Sequence, residues 1–196
     1  MFTFPTTFMA SVGGWWLPPV TFTYATWNSA DKSADIALSN WDLTITHTWT
    51  GWDGVRSTIS KSSWKWYYEV TIDAWTYESI SGIALSSATL TNFLWSDANW
   101  YWYYGWTWAK TNSWLTAYGA TYNVWDVIGI AIDLDGNSME FFKNNVSQWV
   151  AFTWLTWTYF AMSSVVAWVS MVTTTNFWAT PMTYTAPSWY NQWLYE

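Results

Sequence analysis

Residues 126–145 read DVIGIAIDLDGNSMEFFKNN, and this stretch decides the fold class. Two runs rich in β-branched and aromatic residues flank Asp135-Gly136, a dipeptide that two-residue hairpin turns favour. One face of the first run is apolar because successive strand side chains point to opposite sides, and it carries Ile128, Ile130 and Ile132. The other face, which suits a close neighbour or solvent, carries Gly129, Ala131 and Asp133. The stretch therefore predicts an antiparallel hairpin with one side facing a core.

Alternation with a period of two residues recurs along the chain, and no helical stripe extends beyond about two turns. We predict strands at residues 42–48, 65–73, 79–86, 126–134, 138–144, 159–167 and 173–177. Seven or more short strands at this spacing are typical of a β-sandwich. The composition agrees, since only 10% of the residues are charged while Thr, Ser, Tyr and Trp are abundant, which favours strands over surface helices.

Length and charge limit the classes of function. A chain of 196 residues can bury a substantial core as one domain without metals or disulfides. Its net charge of -7, from 13 acidic and 6 basic residues, offers no positive surface for nucleic acid or an anionic membrane. No stretch approaches the roughly 18 apolar residues of a membrane span. The absence of cysteine excludes disulfides, thiolate zinc sites and cysteine nucleophiles.

The two ends of the chain differ from its middle. Residues 1–24 are rich in Thr, Gly and Pro and lack a strong pattern, which indicates a linker or tail segment. They also lack a basic region, so they make a poor signal peptide. We expect the sandwich domain to occupy residues 25–196, with the final TAPSWYNQWLYE as a surface segment.

The turn at residues 61–65, KSSWK, precedes the strand WYYEVTID and has Trp64 at its tightest point. Turns of this kind place Gly, Asn or Asp there, because these residues tolerate a positive φ. Tryptophan pays a steric cost at such a point and exposes a large ring. The position therefore favours glycine, although the sequence has tryptophan.

An ordered series of motifs resembles the SPRY domain (the B30.2-like module) in its phage and bacterial form. The similarity covers about residues 26–191 and is carried by WNSADKSADIALSN (27–40), GWDGVRSTISKSS (51–63), KWYYEVTID (65–73), YGATYNV (118–124), DVIGIAIDLDGNSMEFFKNN (126–145) and TTNF (174–177). The most specific feature is the pairing of KWYYEV with the later hairpin block. The resemblance implies a bent sandwich of two antiparallel sheets, related to the concanavalin-like jelly-roll lectins.

The same resemblance implies a non-enzymatic module that recognises a protein or a cell-surface glycan through loops and needs no cofactor. By analogy with phage members of the family, the chain is expected in a virion, a tail or a bacterial surface protein, as an adhesion domain. Two alternatives stay open. One is a carbohydrate-binding lectin or a glycosidase on the same sandwich, and the other is a structural virion subunit.

At eight positions where the family pattern has glycine, this chain has tryptophan. They are Trp64, Trp125, Trp149, Trp154, Trp157, Trp178, Trp189 and Trp193, and loop contexts that favour glycine also hold Trp41, Trp95, Trp100, Trp102, Trp108 and Trp114. Only Trp27, Trp52, Trp66 and Trp106 resemble original tryptophans. The chain has 23 Trp and 9 Gly, whereas Gly averages about 7% and Trp is rare.

This inversion suggests glycine-to-tryptophan recoding. Some bacterial lineages and their phages read UGA as glycine, and translation by a table that reads UGA as tryptophan would convert a subset of glycines. The alternative is that the tryptophans are genuine and form aromatic binding surfaces.

Four groups of residues have side chains suited to catalysis, metal binding or ion pairing. Glu69 and Asp73 share a strand face, but Thr71 interrupts the alternating carboxylates of sandwich glycosidases, whose acid and nucleophile lie about 5 to 5.5 Å apart. The DLDGN stretch from Asp133 resembles the start of a calcium loop but lacks the later bidentate Glu, so a hairpin is expected and no metal site.

His47 is the only histidine and would serve a triad only if Ser and Asp converged on it. Arg56 is expected to pair with Glu69 or Asp73 across strands.

The segment SDANWYWYYGWTWAKTNSW, residues 96–114, is the strongest candidate for recognition. We predict a long loop there, and loops on a rigid sandwich commonly carry binding. If several of its tryptophans are glycines, the loop combines adaptable polar groups with rigid tyrosines, as paratopes do. The predicted binding residues are Asp97, Asn99, Tyr101, Tyr103, Tyr104, Lys110 and Asn112. The alternative is that some of these tyrosines pack on the sheet edge.

Overall fold

Two antiparallel seven-stranded sheets form a sandwich, which confirms the all-β prediction. The structure is a computed structural model that describes residues 11–12, 15–16, 23–47, 51–74, 79–91, 98–166 and 170–190. These residues contain no helix, and so no helix long and apolar enough to cross a membrane. A separate strand pair joins β1 (Ser11–Val12) to β2 (Trp15–Trp16). The boundary predicted at residue 24 stays a prediction, because residues 1–10 and 17–22 lie outside the described part.

Both sheets are open, so among the described residues each has an edge strand at either end. In spatial order the first sheet contains β11 (Leu115–Ala117), β10 (Ala109–Thr111), β9 (Trp100–Tyr104), β8 (Ser79–Ala84), β15 (Tyr159–Val166), β6 (Trp52–Lys61) and β3 (Trp27–Lys32). The second contains β14 (Val146–Thr153), β13 (Ser138–Lys143), β12 (Val127–Asp133), β7 (Lys65–Ala74), β16 (Met171–Asn176), β5 (Thr44–His47) and β4 (Ile36–Ser39). All seven predicted strands are present.

The predicted hairpin joins β12 to β13, but its turn is longer than two residues. Asp133 pairs with Ser138, so residues 134–137 form a four-residue loop with Asp135-Gly136 in the middle. The backbone N–H of Gly136 donates to Asp133 Oδ1 at 2.6 Å, and Asn137 takes the positive φ of 55°. The Asp133 side chain therefore closes the turn. Asn137, not Gly136, adopts the left-handed backbone conformation.

The turn that holds Trp64 docks against this hairpin loop. The Trp64 N–H donates to Asp135 Oδ1 at 2.9 Å, and the Leu134 N–H donates to the Trp64 carbonyl at 3.0 Å. Lys65 forms an ion pair with Asp133 at 2.6 Å. These contacts hold the Trp64 backbone at φ 77° while its side chain points to solvent.

Trp64 is one of eight tryptophans with a positive φ. Fourteen described non-glycine residues have a positive φ. Of the other six, five are Asn or Asp, which tolerate that region, and one is Ser113. The eight, with φ between 49° and 77°, are Trp41, Trp64, Trp108, Trp125, Trp149, Trp154, Trp178 and Trp189. All eight belong to the set that the family pattern marks as glycine positions or loop contexts. Trp95 and Trp193, from the same set, lie outside the described residues.

The main core lies between the sheets, and both outer faces are also partly covered. Ile128, Ile130 and Ile132 point into the main core, as predicted. The opposite face of β12 is buried as well, because Ala131 and Tyr67 pack under residues 178–190. The segment expected to be a surface element therefore covers the outer face of the second sheet as far as residue 190, and residues 191–196 lie outside the described part.

The predicted loop at residues 96–114 is wrong in its secondary structure. Residues 100–104 form β9 and residues 109–111 form β10. Aromatic residues occupy both faces of β9: Tyr101 and Tyr103 face the main core, while Trp100, Trp102 and Tyr104 face a second buried cluster. Because both faces are buried, the alternation that reveals a strand is missing. The ten-residue strand β6 was missed for a similar reason, since six of its residues are buried and only Thr58 is exposed.

Candidate binding cleft

An open cleft separates the edges of the two sheets on the side of β11 and β14. Its volume is about 520 Å³, and it opens widely to solvent. The lining residues are Tyr101, Lys110, Thr111, Asn112, Trp114, Thr116, Ala151, Phe152, Thr153 and Trp154. One wall therefore comes from β9 to β11 of the first sheet, and the other comes from the end of β14 in the second.

The register of the first sheet explains why these side chains meet. Tyr103 lies opposite Lys110, and Lys110 lies opposite Thr116, so these three share the face toward the second sheet. Tyr101 lies two residues before Tyr103 on β9, so its side chain is on the same face. The row begins in the core at Tyr103 and reaches solvent at Thr116. The wall therefore changes from aromatic to polar toward the sheet edge.

Lys110 bridges the two walls. Its Nζ donates to the Ala151 carbonyl and lies 5.2 Å from the Tyr118 ring centre and 5.3 Å from that of Phe152. Loss of solvation lowers the pKa of the Lys110 ammonium below its usual value. An ammonium has three donors, and the carbonyl of Ala151 takes one of them. A cation with spare donors thus faces the cleft between two aromatic rings.

Two other predicted residues also line the cleft. The Tyr101 ring meets Phe152 edge-on at 5.3 Å and Tyr159 at 5.6 Å, so its position is set by packing. Asn112 donates through Nδ2 to the carbonyls of Ala98 at 2.6 Å and Trp100 at 2.8 Å. These bonds leave the Asn112 amide oxygen as the group available to a ligand.

The remaining predicted residues lie elsewhere. Tyr103 is buried and donates its hydroxyl to the Ala120 carbonyl, while Tyr104 is buried on the outer face. The backbone carbonyl of Asn99 accepts from the Leu85 N–H at 3.0 Å. Asp97 lies outside the described residues. Sequence reasoning missed the whole β14 wall, because VSQWVAFT contains no chemical motif and its proximity to β10 depends on the sandwich closing.

Glu69 and Asp73 occupy structural positions. Glu69 is 1% exposed, and its carboxylate accepts from the Thr183 N–H at 2.7 Å, the Tyr184 N–H at 2.9 Å and the Tyr67 hydroxyl at 3.1 Å. Asp73 accepts from the Thr174 hydroxyl at 2.7 Å. Four strand residues separate their Cα atoms by about 13 Å. Glu69 therefore anchors the segment that covers the second sheet.

His47 lies in a buried polar group that is not arranged as a triad. Its Nε2 lies 2.7 Å from Asp53 Oδ2, while the Ser33 hydroxyl donates to Asp53 Oδ1. Asp53 is thus the central residue, whereas a nucleophilic triad needs histidine between the hydroxyl and the carboxylate. All three side chains are buried. The arrangement supplies buried hydrogen bonds between strands.

Arg56 pairs with Asp31 rather than with Glu69 or Asp73, so that prediction is wrong. Its guanidinium bonds both Asp31 carboxylate oxygens, at 2.8 and 2.9 Å. The reason is the sheet assignment, since β6 and β3 belong to the first sheet and β7 to the second. Among the described residues, no group of three or more His, Asp or Glu could hold a metal ion.

Comparisons with known proteins agree with this architecture. Residues 65–176, more than half of the chain, match the family model of the SPRY domain. The SPRY domain of human HERC1 aligns with a TM-score of 0.71 at 10% identity, covering 79% of this chain and 99% of that one. Another human SPRY domain aligns with a TM-score of 0.62 at 14% identity, covering 75% and 98%. No curated protein matches the chain in sequence.

Proposed function

Because the chain belongs to the SPRY domain family, whose members are generally protein-interaction modules, we propose that it is a non-enzymatic binding module that uses the cleft between β11 and β14. The observation that carries this proposal is the convergence of Tyr101, Lys110 and Asn112 on one open cavity. All three are among the binding residues predicted from the sequence. Three other predicted binding residues, Asn99, Tyr103 and Tyr104, do not line this cleft.

The cleft has the mixed character of a recognition site. Tyr101 and Phe152 supply rigid aromatic area, while Lys110, Asn112 and three threonines supply polar groups. Aromatic surface with a few placed polar groups is typical of sites that bind a ligand in a defined orientation. Both a protein segment and a surface glycan offer groups that fit these two kinds of contact.

Selection from a displayed library of random linear peptides, together with a glycan array, tests this function. Selected peptides that bind the Lys110→Ala or Asn112→Ala variant about tenfold more weakly than the unmodified chain would support the cleft as the binding site. Lys32→Ala is the matched control, because Lys32 also donates to backbone carbonyls, at 2.6 and 3.2 Å, but lies on the opposite edge strand of the same sheet. Binding unaffected by both cleft variants would overturn the proposal, and hits confined to glycans would favour the lectin alternative.

The proposal of no catalysis rests on the surroundings of Glu69. A general acid must reach substrate, whereas this carboxylate is covered by residues 183 and 184 and fully used as an acceptor. The check is turnover of a panel of aryl glycosides by the unmodified chain and by Glu69→Gln. Activity that disappears in a folded Glu69→Gln variant would contradict the proposal and establish a glycosidase.

We also propose that the positive-φ tryptophans are glycines in the natural protein, which would place the chain in a phage or bacterium that reads UGA as glycine. In support, L-residues other than Asn and Asp rarely adopt this region, and the left-handed conformation costs about 1–2 kcal/mol per residue. Seven of these eight side chains are also exposed, namely Trp41, Trp64, Trp108, Trp125, Trp149, Trp154 and Trp189. Trp100 and Trp102 do not share these features, because both are buried in β9.

Peptide mass spectrometry on protein from its native source tests the recoding. The informative peptides contain residues 62–65 and 149–157. Glycine masses at Trp64, Trp149 and Trp154 would support the proposal and a phage or bacterial origin for an adhesion or tail module. Tryptophan masses there would overturn it, and the exposed rings would then be real contact surface.

A further inference from the structure

The two strands that border the cleft differ in how their outer edges are used. On β14, the Trp149 and Ala151 carbonyls accept from the Tyr118 hydroxyl and from Lys110 Nζ, both of the first sheet. The pairing of β14 with β13 also shifts register twice. Side chains and bulges are common means of protecting an edge strand. Two carbonyls of the β14 edge are therefore already used as acceptors.

The edge of β11 carries no such protection among the described residues. The Tyr118 N–H donates to the Trp108 carbonyl at 2.9 Å, which makes 118 and 108 a hydrogen-bonded pair. In an antiparallel ladder such pairs alternate, so Thr116 and Lys110 form the next one. Leu115 and Ala117 then direct their backbone N–H and carbonyl groups away from β10. The strand is exposed at every residue and contains no charge or proline.

Charge in the cleft is complementary to an acidic group. No Asp or Glu is among its lining residues, and Lys110 supplies a cation with spare donors. The chain as a whole carries a net charge of -7, so this is a locally positive site on an acidic protein. Attraction of this kind favours an acidic partner over a basic one.

We infer that the β11 edge pairs with an extended segment of a partner protein, which places an acidic side chain in the cleft next to Lys110. The inference rests on the proposed binding function and names its partner class. A residue opposite Thr116 would continue the row formed by Tyr103, Lys110 and Thr116. Its Cα would lie two strand spacings, about 10 Å, from that of Lys110, a gap that a lysine and a glutamate side chain together span.

The probe is a blocked seven-residue peptide of alternating threonine and valine with glutamate at its centre, since β-branched residues favour an extended chain. Titration into isotopically labelled protein should shift the amide resonances of Leu115 and Ala117. Replacing the central glutamate with lysine should weaken binding about tenfold, the effect of losing one ion pair in a partly desolvated site. Equal binding of both peptides, or no shift at millimolar peptide, would overturn the inference.

Ala117→Pro separates strand pairing from binding in the cleft. Proline removes the outward N–H of residue 117 and leaves the inward bonds of Thr116 intact, while Ala117→Ser keeps that N–H as the matched control. Loss of peptide binding with Ala117→Pro and with Lys110→Ala supports the inference. Loss with Lys110→Ala alone overturns strand pairing but keeps the proposed function. Retention in both variants removes the cleft as a binding site and with it both proposals.

Discussion

Trp64 and Trp66 lie two residues apart but differ in backbone conformation and in burial. Trp64 has φ 77° and is 64% exposed, in a turn held by the β12–β13 hairpin loop. Trp66 begins the buried part of β7, is 1% exposed and stacks on Tyr68 with ring centres 5.9 Å apart. Both lie next to the same hairpin, since Leu134 bonds to Trp64 and Ile132 pairs with Trp66. Backbone conformation and burial therefore separate two classes of tryptophan.

The same difference extends over the chain. Trp27 and Trp66 are buried in the main core, and neither has a positive φ. The exposed positive-φ tryptophans contribute little packing and carry a backbone cost. A large aromatic residue therefore stabilises this fold where its ring is buried.

Trp66→Gly is expected to give the largest effect. Removing the ring leaves a cavity in the main core, and such substitutions cost about 3–5 kcal/mol of unfolding free energy. Urea unfolding followed by fluorescence and circular dichroism measures it. Should the variant fail to fold, Trp66→Phe gives a smaller loss on the same scale. A loss near zero in both would break the comparison, because Trp66 would not be a core residue.

Glu69→Gln changes a buried polar residue of β7, the strand that also contains Trp66. The glutamine amide would oppose one of the three donors that Glu69 now accepts, at a cost of about 1–3 kcal/mol. Limited proteolysis should also cut the released segment near residues 182–184 sooner. Glu140→Gln is the control, since Glu140 is only partly buried and accepts from Ser147. Equal effects of the two changes would refute the anchoring role.

Trp64→Gly is expected to stabilise the protein. Glycine adopts φ 77° without the steric cost, so the unfolding free energy should rise by about 1 kcal/mol. Trp64→Ala sharpens the test, because alanine removes the ring and keeps the backbone penalty. If alanine stabilised as much as glycine, exposure of the ring and not φ would explain the effect.

Trp178→Gly is the intermediate case and should change stability least. Its φ of 75° favours glycine, but its indole N–H donates to the Tyr67 carbonyl at 3.2 Å and its ring packs on the second sheet. Relief of the backbone cost and loss of these contacts are each about 1 kcal/mol and oppose each other. A net change near zero in thermal unfolding is expected, and a gain equal to that of Trp64→Gly would show that the ring contributes nothing.

Much of the fold was predictable from local pattern. The hairpin at 126–145 and the strand at 65–73 have period-two alternation and turn residues, so both were found within a residue or two of their observed bounds. The sequence also predicted that tryptophan is unfavourable at position 64, because the steric demand of a tight turn is local. Strands β6 and β9 were not found, since burial on both faces removes the alternation.

The amino-acid sequence by itself determined the all-β class, the family and the misfit between tryptophan and its turns, because each depends on neighbouring residues. Only the tertiary structure decided that Arg56 meets Asp31, that Glu69 anchors residues 183 and 184, and that Lys110 faces Ala151 across a cleft. The physical reason is that strand order and the closing of the two sheets arise from pairings between distant segments. The cleft exists because edge residues more than thirty positions apart in sequence, such as Thr116 and Ala151, lie on the same side of the sandwich.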